Sequence, residues 1–353
     1  MKNLRNYAVL AQPKLLSFDF CVLNFKFYYM PELPEVETVA RELNRKLKKR
    51  KIKSVEVKAP KMISLGPDVV SNIRKVKSSQ VQKFERLLRN QIFESVKRRA
   101  KLLIFNFSRP RVFSPNFGKR KKERASLSLL VHLKMTGQFI FEDTKLRSQT
   151  HGRYCLINKA SAPKELLPCR HTHVIFNFMD GSILYFNDVR KFGYLKLVRD
   201  NEISQVRELR EFGPEPLSKQ YTIGRFLTAV KKCPKRTIKS MLVDPKVVAG
   251  IGNIYSDEIL FHAGLRPTRK VLKISNQELG RIYINIKKVL TKAVKAKGSS
   301  VGDFVRTDGS WGQMGKYHFV YGRSGQKCKR CASIISSVKL NGRTGSFCPK
   351  CQK

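Results

Sequence analysis

Residues 30–52 read MPELPEVETVARELNRKLKKRKI, and their pattern predicts an amphipathic helix. Pro34 suits the first turn of a helix, where its missing N–H costs nothing. Acidic residues stand at the start of the segment and basic residues at its end, as the helix macrodipole favours. Apolar residues recur at helical spacing and predict one face that packs on a sheet; they are Val36, Val39, Ala40, Leu43 and Leu47.

The whole chain is strongly basic. Its 353 residues include 72 Lys and Arg against 26 Asp and Glu, a formal net charge of +46. Nucleic acid is the usual partner of such a chain, because each neutralised phosphate releases a condensed counterion. A basic surface that is only solvated stays the alternative. With 41% hydrophobic residues the chain is globular, and no apolar run approaches the ~20 residues of a membrane helix.

The residues before the helix, Met30-Pro31-Glu32, predict chemistry that an amphipathic helix does not require. Methionine before a small residue is normally removed, which leaves proline with a free secondary amine. Such an amine attacks an electrophilic sugar carbon and forms an iminium. Within a chain the Pro31 nitrogen is a planar amide without a free lone pair. The neighbouring carboxyl group of Glu32 is a candidate proton donor to the opening sugar.

The rest of the chain predicts a multidomain α+β protein. Short apolar and β-branched runs in residues 30–200 favour a β-sandwich or barrel. Residues 201–219, with a Gly- and Pro-rich turn at 213–217, form a linker. Residues 220–318 are predicted to be helical around Gly250 and Gly252, which let the backbone approach a ligand closely.

Residues 319–353 predict a zinc ribbon. Four of the eight cysteines follow the spacing C-x₂-C-x₁₆-C-x₂-C, which suits one tetrahedral structural zinc ion. Clustered thiols in a long basic chain favour a metal site in a reducing compartment over a disulfide framework. Asn341-Gly342 is a candidate hairpin turn, with Arg343 at or near its tip. The predicted ligands are Cys328, Cys331, Cys348 and Cys351.

The run PELPEVET, residues 31–38, resembles without a gap the N-terminal signature of the formamidopyrimidine-DNA glycosylases, bacterial enzymes that remove oxidised purines. The resemblance continues to Lys353 with two insertions. It implies an N-terminal β-sandwich with an N-terminal helix, a helix–two-turn–helix domain and a C-terminal zinc-ribbon hairpin. It also implies base-excision repair by a bifunctional glycosylase and abasic-site lyase. That activity proceeds through an N-terminal proline Schiff base and β,δ-elimination on duplex DNA containing 8-oxoguanine or formamidopyrimidines.

The same resemblance assigns roles within the β-rich domain. Glu35 orients the N-terminus and caps its helix. Lys101 is the active-site lysine near the lesion phosphate, an interpretation favoured over the alternative of a basic strand edge. His132 contacts a phosphate, and Met135 fills the gap left by the extruded base. Strand alternation alone would instead make Met135 a core residue.

Further roles fall on loops and on the helical domain. Arg190 faces the orphaned cytosine and Phe192 wedges the base stack. Asn253 holds a phosphate at a helix N-terminus, Arg343 grips the backbone from the minor groove, and Lys239 takes part in lesion handling. Residues 298–317 form a loop that closes over the flipped base, and we expect it to be mobile before DNA binds.

Two alternatives stay open. The sister enzyme endonuclease VIII, which acts on oxidised pyrimidines, shares the proline, the two-turn motif and the zinc ribbon, although the ELPEVE and RKF runs favour the purine enzyme. A damaged-DNA binding protein without chemistry results if residues 1–29 stay attached, because Pro31 is then blocked. These 29 residues fit neither a signal peptide nor a mitochondrial leader. We expect them to lie outside the fold, with Met30 as the working initiator.

The two insertions, 109–124 and 143–170, depart from the family. The first holds seven basic residues and one acidic residue, and we interpret it as a solvated loop. The second carries His151, Cys155 and Cys169 and is followed by His171 and His173, and residues of these types are the alternative of a second metal site. Their spacing fits no standard zinc pattern, so we expect one zinc ion. The partner expected is damaged double-stranded DNA, bound by a monomer in a bacterial-type cytoplasm, at the nucleoid and away from membranes.

Overall fold

The structure is a computed structural model that describes residues 30–68, 76–108, 126–144, 154–155, 165–302 and 304–353. The extension 1–29, the first insertion and most of the second lie outside the described residues. The described helices are α1 (Leu33–Leu47), α2 (Ser78–Leu88), α3 (Arg207–Glu211), α4 (Ile223–Lys231), α5 (Ile238–Leu242), α6 (Asn253–Ala263) and α7 (Asn276–Lys295). The described strands are β1 (Ile52–Val57), β2 (Ile63–Leu65), β3 (Ile92–Arg99), β4 (Leu102–Ser108), β5 (Leu127–His132), β6 (Gly137–Glu142), β7 (Tyr154–Cys155), β8 (Glu165–Leu166), β9 (Thr172–Phe178), β10 (Ile183–Asp188), β11 (Tyr194–Arg199), β12 (Ser336–Leu340) and β13 (Arg343–Phe347).

The N-terminal domain is a β-sandwich, as predicted. One sheet has the strand order β1-β9-β10-β6 and the other β2-β11-β5-β4-β3. Only β2 and β11 pair in parallel among these strands. Aromatic side chains from both sheets share one core, including Phe93, Phe105, Phe139 and Phe176. Every residue of β6 is buried, and at this edge of the sheet the Phe141 N–H donates to the Thr307 carbonyl oxygen at 3.0 Å.

Helix α1 connects this sandwich to the helical domain. Its predicted apolar stripe is buried in the sandwich core, where each aliphatic side chain contributes about 1.5–3 kcal/mol. Leu33, the first residue of the helix, instead packs in the core of the helical domain. Its backbone N–H donates to the Gly250 carbonyl oxygen at 3.0 Å. The end of α1 that carries Pro31 and Glu32 therefore lies at the junction of the two domains.

The helical domain packs α4 to α7 around a second core. α6 is buried on nearly every side and ends at Gly264, whose φ of 76° provides the left-handed cap. α7 begins with a capping box between Ser275 and Glu278. In the described part of the chain, no helix is both long and apolar enough to cross a membrane.

The C-terminal module is a two-stranded hairpin that packs on α6. Leu340 pairs with Arg343, so the connecting turn contains only Asn341 and Gly342. Both turn residues have positive φ, 48° and 74°. This is the type I′ geometry that matches the twist of the strands, and the predicted Asn-Gly turn is confirmed.

Candidate active site

A cleft of about 600 Å³ opens where the sandwich, the helical domain and the hairpin meet. Six of the residues predicted from sequence line it: Glu32, Lys101, His132, Met135, Asn253 and Arg343. A larger cleft of about 1010 Å³ lies between the linker and α4, and none of the predicted residues lines that one. The smaller cleft is therefore the candidate site.

Glu32 binds the N-terminus of α6 through its carboxylate. The backbone N–H groups of Gly252 and Ile254 donate to it at 2.7 and 2.8 Å, and that of Tyr255 at 3.3 Å. Free N–H groups and the helix dipole both stabilise an anion at this position. A Cβ at residue 252 would lie 2.5 Å from Glu32 Oε1 and 2.6 Å from Lys101 Nζ, so this close approach requires glycine.

Pro31 is buried beside Glu32, and Met30 rather than Pro31 lines the cleft. While Met30 is attached, the Pro31 nitrogen is an amide and has no nucleophilic lone pair. Met30 is bonded to the Pro31 nitrogen and lines the cleft, so removal of the chain up to Met30 would leave this nitrogen next to the cleft.

Glu35 is a second buried carboxyl group, one helical turn from Glu32. It accepts the Glu32 backbone N–H at 2.9 Å, the Tyr255 hydroxyl at 2.5 Å and the Ser299 N–H at 2.7 Å. Burial, with a smaller effect from the charge of Glu32, raises the pKa of Glu35 to about 7. Glu35 thus joins α1 to α6 and to the start of the 298–317 loop. Sequence reasoning missed Tyr255, although it lies only three residues after Gly252.

Lys101 lies in the two-residue turn between β3 and β4. Burial lowers the pKa of Lys101, the charge of Glu32 opposes this shift, and the charge of Arg343 adds to it. A cation whose solvation is reduced in this way gains from a phosphate brought into the cleft.

His132 ends β5 with its ring at the cleft. Its Nδ1 accepts the Lys134 backbone N–H at 2.9 Å. Burial, with help from the charges of Lys134 and Lys101, holds the pKa of His132 well below its usual range. The neutral ring then carries its proton on Nε2, which is a hydrogen-bond donor suited to a phosphate oxygen.

Met135, Arg190 and Phe192 form a contact cluster. The Arg190 guanidinium stacks 4.7 Å above the centre of the Phe192 ring, and Arg190 Nη1 lies 3.1 Å from Met135 Sδ. Strand alternation is wrong for Met135, because β5 ends at His132 and Met135 is half-buried in the following turn. Phe192 is 45% exposed, so the cluster is available to a partner.

Asp188, which sequence reasoning missed, orders the loop that carries Arg190 and Phe192. The Asp188 carboxylate accepts the N–H of Arg190 at 3.1 Å and that of Gly193 at 2.7 Å. It also contacts the Thr136 hydroxyl. An aspartate directly at the end of a strand is a turn signal, and that signal is present in the sequence.

The position of Lys239 does not support direct contact with DNA. Lys239 is 1% exposed, and its amine pairs with Asp257 and donates to Ser256 Oγ at 3.2 Å. The other Asp257 oxygen accepts the N–H of Ser346 in β13 at 2.8 Å. A buried and paired ammonium group has no access to a phosphate, so Lys239 instead fixes the hairpin to α6.

Asn253 and Arg343 both line the cleft. Asn253 is the first residue of α6, and within the described residues its buried Oδ1 has no hydrogen-bond partner. Arg343 is exposed immediately after the hairpin turn. An unpartnered amide and an exposed guanidinium at one cleft are groups that a polar ligand satisfies.

The four predicted metal ligands converge. Their Sγ atoms all lie within 4.8 Å of one another, with Cys331 and Cys348 3.5 Å apart. Zinc–sulfur bonds of about 2.3 Å place tetrahedral sulfurs roughly 3.8 Å apart, so the thiols fit a zinc ion. Backbone N–H groups of Arg330 and Cys351 point at two of these sulfurs, each at 3.4 Å. These four cysteines make a metal-binding site.

Cys169 of the second insertion and His173, which follows it, are engaged in other contacts. Cys169 is disulfide-bonded, which the expectation of reduced thiols did not include and which removes it as a thiolate ligand. The ring of His173 is held by the Asp188 carbonyl oxygen at 2.7 Å. His151 lies outside the described residues. The described parts of this insertion therefore offer no thiolate from Cys169 to a second metal.

Three family models match the chain in sequence order. The formamidopyrimidine-DNA glycosylase N-terminal domain matches residues 30–195, and the H2TH domain of the same enzymes matches 212–305. The zinc finger found in FPG and IleRS matches residues 325–353.

Relatives and solved structures agree with these models. A formamidopyrimidine-DNA glycosylase of Listeria innocua is 36% identical, over 92% of this chain and 100% of its own length. The Lactococcus lactis Fpg, solved with DNA containing an abasic site, is 29% identical, with a TM-score of 0.71 over 91% of this chain and 99% of that one. MutM, solved with DNA containing carbocyclic 8-oxo-G, is 30% identical with a TM-score of 0.70, over 92% of this chain and 100% of that one. The chain belongs to the formamidopyrimidine-DNA glycosylase family.

Proposed function

We propose that this protein is a base-excision repair enzyme that removes oxidised purines, 8-oxoguanine and formamidopyrimidines, from duplex DNA and then cleaves the strand at the abasic site. The observation that carries the proposal is the convergence at one cleft of Glu32, the residue directly after Pro31, with cationic and donor groups from all three domains. The names of the relatives, and the abasic and 8-oxo-G DNA in their structures, support the same substrate class.

The chemistry that we propose begins at Pro31. Its free amine attacks C1′ of the damaged nucleotide, the C1′–base bond breaks, and the base leaves. Glu32 assists the opening of the sugar by proton transfer. The resulting iminium makes the 2′ proton acidic, and successive β- and δ-elimination break the two flanking phosphate bonds. Glu35 keeps Glu32 in place through its hydrogen bond to the Glu32 N–H.

The remaining site residues bind and deform the DNA in this proposal. Phosphates are held by Lys101, by the Nε2–H of neutral His132, by Asn253 and by Arg343. The stacked cluster of Met135, Arg190 and Phe192 fills the space that the extruded nucleotide leaves. One structural zinc ion, held by the four cysteines, stabilises the hairpin that presents Arg343. We propose a monomer that acts on chromosomal DNA in the bacterial cytoplasm.

Borohydride trapping tests the nucleophile, because it reduces an iminium to a permanent bond. The substrate is a duplex with 8-oxoguanine opposite cytosine, and the protein is prepared to begin at Pro31. We expect a covalent complex, and we expect none when the Pro31 amine is acetylated. Absence of a complex with folded, zinc-loaded protein contradicts the proposal, and a duplex with an oxidised pyrimidine then tests the sister activity.

A second candidate function follows from the attachment of Met30 to Pro31. With the nitrogen held as an amide, every proposed DNA contact survives but the nucleophile does not. We expect the chain that begins at Met1 to bind abasic-site DNA and neither nick nor trap it. Trapping by that intact chain would contradict the role of the free amine.

A further inference from the structure

Residues 298–317 lead from the end of α7 across α1 and back to the helical domain. Near the start of this segment, the Ser299 N–H donates to Glu35 at 2.7 Å, and Ser299 bridges to Gln313. Phe304 is buried in the sandwich core. Trp311, the only tryptophan of the chain, is 44% exposed in this segment. The segment thus lies directly against the helix that begins at the candidate site.

Glu42 lies two turns along α1 from Glu35 and holds the middle of the segment. The Glu42 carboxylate accepts Arg306 Nε at 2.6 Å, the Thr307 N–H at 3.1 Å and the Thr307 hydroxyl at 2.8 Å. Thr307 is fully buried, and its hydroxyl also accepts Lys46 Nζ at 2.9 Å. The Thr307 carbonyl oxygen accepts the Phe141 N–H of β6 at 3.0 Å.

These contacts make attachment of the segment strongly favourable. Glu42 is 7% exposed, and within the described residues all of its side-chain hydrogen bonds come from the segment. Detachment would break all three of these hydrogen bonds to a charged group, and such bonds contribute more to stability than bonds between neutral groups. The arrangement therefore has one preferred position rather than a range of equivalent ones.

We infer that Glu42, Arg306 and Thr307 are positioning residues that fasten the 298–317 segment to α1, the helix that carries Pro31 and Glu32. The inference rests on the proposed function and on the role that the family resemblance implies for this segment, which is to close over the flipped base. Attachment of the segment to α1 keeps the covered base in a fixed position relative to the Pro31 nitrogen, which lies just before the same helix. Base excision requires this fixed relative position. Strand cleavage at an existing abasic site has no base to hold and does not need it.

The test compares Glu42→Gln and Thr307→Val with Arg41→Gln. Glu42→Gln keeps the shape but turns an acceptor oxygen into an NH₂ group, and Thr307→Val removes only the hydroxyl contacts. Arg41 lies on the same helix with its side chain 68% exposed and serves as the matched control. Zinc-loaded full-length protein is used for amide exchange of residues 299–313 and for Trp311 fluorescence. Protein beginning at Pro31 is used for single-turnover excision of 8-oxoguanine and for cleavage of a preformed abasic site.

For Glu42→Gln and Thr307→Val we expect faster amide exchange and a changed Trp311 emission. Excision should be slowed about tenfold, the loss typical of a hydrogen bond to a charged group. Cleavage of the abasic site should stay within about twofold of wild type, because that step does not use the covered base. Arg41→Gln should match wild type in all four measurements.

Unchanged exchange and excision in both variants would overturn the inference, and so would equal losses in excision and abasic cleavage without a change in exchange. If Glu42→Gln does not fold, Thr307→Val decides alone, since it alters no charge. If wild type itself performs neither reaction, the proposed function has failed, and amide exchange then decides whether Glu42 fastens the segment.

Discussion

At the scale of single residues, the N-terminal signature contains two carboxyl groups in unlike surroundings. Glu32 meets three backbone N–H groups at the start of α6, whereas Glu35 is enclosed between α1, Tyr255 and Ser299. The sequence was enough to mark both as candidates. It could not supply their partners, because these lie more than 200 residues away along the chain and are brought close only by packing of the domains.

The raised pKa of Glu35 gives a pH-dependent stability. Its folded pKa of about 7 lies above the value of 4.5 for an unperturbed glutamate, so the contribution to stability is complete below about pH 4.5 and is lost as the pH rises through 7. Glu35→Gln cannot ionise and removes this loss. Between pH 5 and pH 8 we expect the stability of the variant to gain roughly 2–3 kcal/mol relative to wild type.

Urea unfolding of both proteins at several pH values measures this difference. The comparison isolates Glu35, because Asp257, whose pKa is also raised to about 7 by burial, titrates in both proteins. A difference in unfolding free energy that stays constant from pH 5 to pH 8 would show that folding does not raise the pKa of Glu35.

At the scale of elements, one buried ion pair joins α5, α6 and β13. Lys239 and Asp257 are both about 1% exposed, and Asp257 carries the link to β13 through the Ser346 N–H. Sequence patterns placed both residues on helices and the cysteines on a ribbon. They could not show that the ribbon packs on α6. Hydrophobic periodicity indicates which face of a helix is buried, but not which distant strand packs against that face.

Lys239→Met is expected to destabilise the protein by about 3–5 kcal/mol, because it leaves the Asp257 carboxylate buried and unpaired. The double variant Lys239→Met/Asp257→Asn should recover part of this loss, since the asparagine oxygen still accepts the Ser346 N–H. Chemical unfolding of the zinc-loaded proteins measures both effects.

DNA affinity at several salt concentrations then separates positioning from direct contact. Loss of a phosphate contact lowers the slope of log affinity against log salt by about 0.9, whereas a positioning residue such as Lys239 should leave that slope unchanged. A slope reduced by this amount, with stability unchanged, would restore Lys239 as a DNA contact.

At the scale of the whole molecule, local patterns predicted a sandwich or barrel, the helical domain, the Asn-Gly turn and the four metal-binding cysteines, and the family resemblance chose the sandwich. Hydrophobic spacing and cysteine spacing are local properties of the chain, so they can be recognised in a single sequence. The packing of Leu33 could not be predicted from such patterns. Leu33 begins the amphipathic helix of the N-terminal domain, yet it packs in the core of the helical domain. The contact of Glu42 with residues 306–307 could not be predicted either, because a single Glu within a helix is usually interpreted as a solvent-exposed residue.

Removal of the metal tests how the three parts act as one molecule. The sandwich core and the main helical core contain no cysteine of the metal site, whereas Cys328 and Cys348 belong to a small separate cluster with Phe261 of α6. Chelation should therefore unfold the hairpin and leave the rest folded. Arg343 then leaves the cleft, and abasic-site DNA should bind about as weakly as it does to zinc-loaded Arg343→Ala.

Fluorescence anisotropy with labelled abasic-site DNA measures these affinities, and metal analysis of the untreated protein should give one zinc per chain. The Arg343→Ala protein, chelated in turn, should lose little further affinity, because the contribution of the hairpin is already absent. Full affinity after chelation would mean that the hairpin is held by its packing on α6 alone. A much larger further loss in the chelated variant would mean that other hairpin residues, Gly342 and Thr344 at the same cleft among them, also contact the DNA.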